Sequence, residues 1–390
     1  MWERQFVKQR SELAGTPAVL ASVLGFLCFS AAGSLFAQTG ASVHKHVEVF
    51  RRPGRFAGWP ANHGAWSWGN ELLVGFEIGS FRKSAHSHAI DYDSPVRHVL
   101  ARSLDGGETW SIEEPEGLRP PPGTRMAGVP ALPGDRELTD CPGGVDFSHP
   151  DFMLSARMTD IHAGQSRFCY SMDRGKTWMG PYRVPNFGLP GTAARTDYLI
   201  NGKHDLTMLL TVPKSNGREG RVLCVRTRDG ARTWQMQAYV CPEPKGREYA
   251  IMPSSVRLPS GKIVTAIRYR DFIEVYCSDD GGHTWRFLSR AADKTGGNPA
   301  SMIRLLDGRL VLTYGYRRKP YGIRARISPD EGKTWGPDIV LRADGGNWDL
   351  GYPRTMQRAD GKLVTVYYFN THPDAERFIA ATIWDAGKSR

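Results

Sequence analysis

The chain has 390 residues and a formal net charge of +11, with 40% hydrophobic and 23% charged residues. This apolar content excludes an intrinsically disordered chain and suffices for a packed core. The 43 glycines and 26 prolines are too many and too evenly spread for a helical bundle, so the composition predicts an all-β chain rich in turns.

Residues 1–37 have the features of a secretory signal peptide. Arg4, Lys8 and Arg10 precede an apolar stretch over 18–36, and small residues surround Ala37, where we expect cleavage. An uncleaved membrane anchor is the alternative, although glycine and serine dilute the apolar stretch. We therefore predict a secreted or periplasmic protein with no stable membrane span, in which residues 38–390 form a single domain.

The basic residues and the cysteines narrow the possible partners. Lysine and arginine occur singly along the chain rather than in a basic helix or a run of like charge, which argues against nucleic-acid binding. After signal cleavage five cysteines remain, none in a Cys-x-x-Cys pair, which argues against a zinc knuckle and leaves one or two disulfides open. We expect no cofactor and no metal.

One eight-residue pattern, Ser/Thr-x-Asp-x-Gly-x-Thr-Trp, occurs five times, with alanine in place of glycine in the third copy. The aspartate can accept hydrogen bonds from N–H groups of a turn, and the glycine supplies a positive φ. The aspartates recur every 50 to 68 residues, a spacing typical of one four-stranded propeller blade. The copies are Ser103–Trp110, Ser171–Trp178, Thr227–Trp234, Ser278–Trp285 and Ser328–Trp335.

A hairpin of alternating apolar residues precedes the repeated pattern, as in Ser254–Arg268 and Met302–Tyr314. A last hairpin, Thr355–Tyr368, lacks the pattern. Five units with the pattern and this hairpin predict a six-bladed β-propeller. Val43–Phe50 is expected to supply the missing strand of the last blade and so close the ring.

The repeated pattern resembles the Asp boxes (BNR repeats) of the sialidase, or neuraminidase, superfamily, whose members are six-bladed propellers. The resemblance covers roughly residues 51–385. It implies an exported exo-acting glycoside hydrolase that removes a terminal acidic sugar, sialic acid, from glycans by a retaining mechanism with a tyrosine nucleophile. In such a fold the boxes lie away from the face on which the substrate binds.

The resemblance also implies candidate site residues. Tyr352, nine residues before Gly361, matches the nucleophile strand of the family, and Glu248 is the candidate base that activates it. On the loop 81–96, Asp93 and Asp91 are candidates for the acid/base, with Asp93 preferred. His86, His88 and Asp91 could form a metal site, but a lone His-x-His pair is a weak signal.

The carboxylate of the sugar requires arginine, which binds it through paired hydrogen bonds. Arg268 matches one arginine of the triad that the family uses, and Arg317 and Arg354 are further candidates. Where the family has Arg-Ile-Pro, this chain has Gly58-Trp59-Pro60, so the first triad arginine is either displaced to Arg55 or absent.

Two further departures concern glutamates of the family. Tyr368 stands where the family often has a glutamate that holds the first arginine. By spacing, the activating glutamate falls nearer Met252 than Glu248.

Two alternative functions stay open. One is a lyase or hydrolase acting on another acidic polysaccharide, such as one containing uronate, with His63 as an acid or base beside the channel. The other is a noncatalytic carbohydrate-binding propeller, which the abundant aromatic residues and the incomplete catalytic set favour.

Overall fold

The computed structural model describes residues 40–118 and 138–388, which form six antiparallel β-sheets. The predicted all-β, six-bladed propeller is confirmed. The signal peptide predicted over 1–37 lies outside the described residues. Within them, no helix is long and apolar enough to cross a membrane.

The elements follow the blades in chain order. The first blade contains β2 (Arg55–Gly58), α1 (Pro60–His63), β3 (Ala65–Trp68), β4 (Glu71–Ser80), β5 (Arg97–Ser103) and β6 (Ser111–Glu113), and a short 3-10 helix, Glu116–Leu118, follows it. The second contains β7 (Met153–Met158), β8 (Ser166–Ser171) and β9 (Met179–Arg183), and the third β10 (Tyr198–Gly202), β11 (Asp205–Pro213), β12 (Glu219–Thr227) and β13 (Gln235–Tyr239).

The fourth blade contains β14 (Ile251–Arg257), β15 (Ile263–Arg268), β16 (Phe272–Ser278) and β17 (Arg286–Asp293). The fifth contains β18 (Ala300–Arg304), β19 (Leu310–Tyr316), β20 (Tyr321–Ser328) and β21 (Ile339–Gly345). The sixth contains β22 (Gly351–Gln357), β23 (Leu363–Phe369), β24 (Phe378–Asp385) and, as its outer strand, β1 (Ser42–Phe50).

The two ends of the described chain close the ring. Strand β1 pairs antiparallel with β24, with Val47 opposite Ala381. This pairing covers the edge of the sixth sheet, which would otherwise present unpaired backbone groups. The closing strand predicted at Val43–Phe50 is therefore confirmed.

The innermost strand of the first blade is interrupted. Strand β2 pairs with the end of β4 and β3 pairs with its beginning, while α1 lies between them. Trp59 precedes α1 with a left-handed φ of 58°, and Pro60 occupies its first turn, where the missing N–H costs no hydrogen bond. The break turns Trp59 and α1 towards the centre of the propeller.

The five repeated segments form the same turn. In the first, the Asp105 carboxylate accepts hydrogen bonds from the Thr109 N–H at 3.0 Å, the Thr109 hydroxyl at 2.5 Å and the Ser103 hydroxyl at 2.8 Å. Equivalent bonds to Asp173, Asp229, Asp280 and Asp330 occur in the other four. The carboxylate thus replaces the backbone acceptors that a tight turn lacks.

The third turn has alanine in place of glycine, and alanine adopts a positive φ less readily. Ala231 nevertheless adopts a φ of 72°, and its N–H donates to the Thr227 hydroxyl as in the other copies. The difference lies in the tryptophan. The Trp234 indole N–H is buried without a hydrogen-bond partner among the described residues, whereas that of Trp110 donates to the Gly107 carbonyl.

Apolar side chains of neighbouring sheets form the core. Leu72, Val74 and Phe76 of β4 are fully buried and belong to one cluster with Val364 and Val366 of β23, which joins the first and sixth blades. The five described cysteines are unpaired, so the disulfides left open by the sequence are not formed among them.

The box aspartates predict acid sensitivity. Their pKa values are lowered by hydrogen bonds that outweigh the opposing effect of burial, with that of Asp105 at about 2. A depressed folded-state pKa stabilises the fold fully above about pH 4, the ordinary value of aspartate, and this stabilisation is lost as the pH falls through the folded value. We expect the free energy of unfolding in urea to decline between pH 4 and pH 2.

The variant Asp105→Asn should be less stable at pH 7 and should show a shallower decline in acid. Asp140→Asn, which removes the same charge at a side chain that is 79% exposed, serves as the control. An unchanged acid slope in Asp105→Asn would contradict the role assigned to the box carboxylates.

Candidate functional site

A cavity of about 1050 Å³ opens at the end of the blades opposite the five boxes. On β4, the box-proximal Leu72 pairs with Ser103, whereas Glu77, near the other end, pairs with His98 and lines the cavity. The walls come from the first, second, third, fourth and sixth blades. The lining includes Trp59, Glu77, His88, Arg195, Glu219, Glu248, Tyr249, Arg268 and Tyr352.

Tyr352 is placed by an unusual backbone conformation at the start of β22. Its φ is 51°, in the left-handed region, and its N–H donates to the Asn298 side-chain carbonyl at 2.9 Å. The pairing of β22 with β23 is irregular between Gly351 and Arg354, which accommodates this bend. Tyr352 as a whole is 8% exposed and lines the cavity.

Arginines surround the Tyr352 ring. The Arg268 guanidinium donates to the phenol oxygen at 2.9 Å, and its carbon lies 5.6 Å from the ring centre. The guanidinium carbon of Arg317 lies 5.4 Å from the same ring. Arg195, which sequence reasoning missed, also contributes positive charge and pairs with Glu219 at 2.5 Å. The structure thus brings Tyr352, Arg268 and Arg317 together.

These charges act on the acidity of the phenol. Burial raises the pKa of Tyr352, but the positive charges of Arg268, Arg317 and Arg195 outweigh burial and lower the pKa below its ordinary value. A buried tyrosine without such neighbours would shift in the opposite direction. The site therefore stabilises the phenolate, which is the nucleophilic form of tyrosine.

The candidate base Glu248 lines the cavity but does not contact Tyr352. Its carboxylate accepts hydrogen bonds from the backbone N–H groups of Arg270 at 2.8 Å and Tyr249 at 3.1 Å. At the position where spacing placed the activating glutamate, Met252 also has a left-handed φ of 51°, and its sulfur lies 3.3 Å from the Arg268 guanidinium. Among the described residues no carboxylate is hydrogen-bonded to the phenol.

The loop between β4 and β5 contributes a histidine to the cavity. His88 lines the wall, and its Nδ1 lies 2.5 Å from the carboxylate of buried Asp349. The ring centre of His88 is 6.3 Å from that of Tyr352, with the rings edge to face. Because Asp349 occupies Nδ1, Nε2 is the nitrogen available to a bound molecule.

The two aspartates predicted on this loop lie elsewhere. Asp93 has a side chain that is 72% exposed and pairs with Arg82 at 3.0 Å. Asp91 accepts hydrogen bonds from the Ser94 hydroxyl at 2.6 Å and pairs with the same arginine. Neither belongs to the cavity wall, so the expected placement of an aspartate beside Tyr352 is not observed.

Glu77 lies at the cavity floor above two buried histidines. Its carboxylate accepts a hydrogen bond from His63 Nε2 at 3.1 Å, and His98 Nε2 lies 3.5 Å from the same oxygen. Burial raises the pKa of Glu77 to about 7, against the opposing charge of Arg157. The pKa of His63 is lowered well below its ordinary value, first by burial and then by Arg157. His63 thus lies beneath the cavity wall and supports Glu77.

Two of the predicted arginines do not face Tyr352. Arg354 is directed into the channel, where its guanidinium donates to the carbonyls of Ala61, at 2.6 Å, and Thr196. Arg55 is exposed at the start of β2 and is not part of the cavity wall. The first arginine of the family's triad therefore has no counterpart in this cavity.

At the position where the family often has a glutamate that holds the first arginine, Tyr368 contacts Arg317 instead. Its hydroxyl accepts a hydrogen bond from the Arg317 guanidinium at 2.8 Å and donates to Asp349 at 2.8 Å. Sequence reasoning missed Asp349 and Glu77. A charged residue within the apolar run of β4 is a signal that could have indicated Glu77, whereas nothing local distinguishes Asp349.

Among residues 40–118 and 138–388, no three histidine, cysteine, aspartate or glutamate side chains are grouped to hold a metal ion. His88, one of the two histidines of the His-x-His pair, is instead hydrogen-bonded to Asp349.

Solved structures with this fold come from several organisms. A protein of unknown function from Dyadobacter fermentans is 24% identical, with a TM-score of 0.68 over 89% of this chain and 99% of its own. An α-L-arabinanase from Penicillium chrysogenum is 15% identical, with a TM-score of 0.56 over 88% and 99%. The sialidase of Trypanosoma rangeli is 12% identical, with a TM-score of 0.55 over 89% of this chain and 60% of its own.

No curated protein matches the sequence. The family model described as a BNR repeat-like domain matches residues 152–365, more than half of the chain. This match confirms the predicted BNR repeats, and the six blades are the fold that the resemblance to sialidases implied. The chain belongs to the BNR repeat-like domain family.

Proposed function

We propose that the protein is an exo-acting glycoside hydrolase of sialidase type that removes a terminal acidic sugar from a glycan. The observation that carries this proposal is the contact of Arg268 with the buried phenol of Tyr352, with Arg317 beside the same ring. Solved structures of the same fold include a sialidase and an arabinanase, which supports a glycan substrate. The signal-like segment 1–37 supports action outside the cytoplasm, in secreted or periplasmic form.

The arginines serve two purposes in this proposal. Arg268, which lines the cavity, binds the sugar carboxylate and so brings the anomeric carbon towards Tyr352. Arg317 contributes positive charge only, because its guanidinium donates to Leu350, Gly297 and Tyr368. The same charges keep the phenol acidic, so the tyrosine can react without a glutamate in contact with it. Because these arginines offset the negative charge of the phenolate, it meets less repulsion from the sugar carboxylate than a carboxylate nucleophile without such neighbours would.

The proposed reaction has two steps. The Tyr352 phenolate attacks the anomeric carbon, the glycosidic bond breaks, and His88 Nε2 gives a proton to the leaving oxygen. Water then attacks the same carbon, His88 takes a proton from that water, and the bond to Tyr352 breaks. Asp349 stabilises the protonated imidazole. Two displacements at one carbon give net retention of configuration.

The first test is release of free sialic acid from α2,3-, α2,6- and α2,8-linked sialosides. We expect the Tyr352→Phe variant to lose roughly 10³-fold or more in kcat while it keeps its affinity for the product, because only the attacking oxygen is removed. Proton NMR of the released sugar should show the retained anomer first.

Tyr249→Phe is the matched control, because it removes a phenol that also contacts Arg268, at 3.3 Å. It should keep most of the activity. Absence of sialic acid release by the unmodified protein from all three linkages would contradict the sialidase assignment.

A second candidate function is a lyase acting on a uronate-containing polysaccharide. The pairing of His88 with Asp349 favours it, because a histidine and a tyrosine in one arginine-rich cavity can remove the proton beside a carboxylate and protonate the leaving oxygen. The C–H and C–O bonds break, and a carbon–carbon double bond forms. His63, proposed earlier for this role, lies beneath Glu77, so His88 replaces it in this candidate.

The product distinguishes elimination from hydrolysis. On polygalacturonate, a lyase would release an unsaturated uronate that absorbs in the ultraviolet, whereas a hydrolase would release reducing sugar without that absorbance. We expect no absorbance change. If it occurs and is lost in both His88→Asn and Tyr352→Phe, the lyase assignment replaces the hydrolase. Sugar binding without any product would instead indicate a noncatalytic propeller.

A further inference from the structure

Three arginines at the mouth of the cavity form a feature that the proposed chemistry does not use. Arg218 lies on the loop between β11 and β12, Arg247 on the loop between β13 and β14, and Arg270 on the turn between β15 and β16. All three are exposed and line the cavity. We call Arg218, Arg247 and Arg270 the outer arginines.

The outer arginines lack acidic partners. None of the three is within salt-bridge distance of a carboxylate in the described part of the chain, whereas Arg195, Arg226, Arg318 and Arg377, for example, each pair with one. The nearby cavity carboxylates are already engaged, because Glu219 pairs with Arg195 and Glu248 accepts two backbone N–H groups. The three positive charges at the mouth therefore exceed the negative charge beside them, which is that of Glu248, a carboxylate without a cationic partner in the described part of the chain.

The loop that carries Arg247 is held in place. The buried Lys214 ammonium donates to the carbonyls of Pro244 at 3.2 Å, Gly246 at 2.8 Å and Glu248 at 2.8 Å. The Arg270 guanidinium donates to the Arg247 carbonyl at 2.6 Å. Two outer arginines are thus joined through one anchored loop, which reduces the entropy lost when they bind a ligand.

Tyr249 connects the outer arginines to the floor of the cavity. The guanidinium carbon of Arg270 lies 5.2 Å from the centre of its ring, and that of Arg268 lies 5.5 Å from the same centre. Cationic groups therefore continue from the Tyr352 phenol to the mouth. The volume of about 1050 Å³ exceeds the needs of one sugar ring, since pockets at the small end of the usual range already hold small ligands.

We propose that the cavity binds an oligosaccharide with at least two anionic groups, one at Arg268 and a second, on a neighbouring unit, at the outer arginines. This proposal rests on the proposed function in that it takes the substrate to be an acidic glycan. The second anion is a carboxylate or a sulfate ester, both of which arginine binds through paired hydrogen bonds. The outer arginines then select the unit beside the terminal sugar.

The experiment compares ligands that differ in the number of charged units. Isothermal titration at low salt gives the dissociation constants of galacturonate, trigalacturonate and a sulfated chondroitin disaccharide. We expect the unmodified protein to bind at least one of the two multiply charged ligands at least tenfold more tightly than galacturonate, with an advantage that shrinks as salt is added. The tighter of the two identifies carboxylate or sulfate as the second anion.

The double variant Arg218→Gln/Arg247→Gln should lose this advantage while its affinity for galacturonate stays within about twofold. The control Lys176→Gln/Arg228→Gln removes the same charge at two exposed residues of the boxes, at the far end of the blades, and should keep the advantage.

Three results would overturn the proposal: no preference for the multiply charged ligands, no effect of the double variant, or an equal effect of the control. The assay measures binding alone, so it is separate from the activity test. If no glycan is cleaved but the preference and its loss are observed, the proposed reaction fails and the double-anion site stands. If sialosides are cleaved but the multiply charged ligands are not preferred, the proposed reaction stands and the double-anion site fails.

Discussion

The geometry of the cavity depends on the hydrogen bonds that the buried Asp349 carboxylate accepts. Asp349 is 1% exposed and accepts hydrogen bonds from His88, from the Tyr368 hydroxyl, from Arg377 at 2.9 Å and from the Ala89 N–H at 2.9 Å. Burial raises its pKa, but these donors outweigh burial and lower it, so the group stays ionised. A buried anion is tolerated only when it is paired in this way. Asp349 thereby fixes His88 from the first blade and, through Tyr368, the arginine that flanks Tyr352.

The fold could be predicted because its signals are local. Each box builds its turn from hydrogen bonds that span two to four residues, as between Asp105 and Thr109, so eight residues are enough to recognise it. Alternating apolar residues then fix the faces of the hairpins. The closing strand was predictable because the last blade needed a further strand and Val43–Phe50 was left over at the other end of the domain. The interruption of the first blade by α1 was not, because it depends on how Trp59 packs against distant residues, His88 on a loop of the same blade and Tyr368 of the sixth blade.

The site was predictable only in part. Tyr352 lies at the start of β22 and Arg268 at the end of β15. A propeller brings such positions to one face, independently of the conformation of the loops. Arg354 lies two residues after Tyr352, but its guanidinium is held in the channel by the carbonyls of Ala61 and Thr196. His88 was considered only as a metal ligand, because its partner Asp349 is 261 residues away and no local pattern joins them. Long-range pairs of this kind can be predicted only when it is known which loops lie next to each other in the fold.

One backbone conformation recurs at the centre of the propeller. It explains how the side chains at the site differ from the family pattern while the backbone of the site keeps its geometry. Trp59, Met252 and Tyr352 each precede a proline and each adopt a left-handed φ, of 58°, 51° and 51°. This conformation is costly for a residue with a side chain and persists only where the surroundings enforce it. This conformation fixes where a side chain enters the centre of the propeller, but not which type of side chain it is. At Met252 it presents a thioether to Arg268 instead of a carboxylate, which leaves that guanidinium free of an acidic partner and directed at the Tyr352 phenol. The absence of a glutamate at this position and the contact of Arg268 with the phenol therefore occur together.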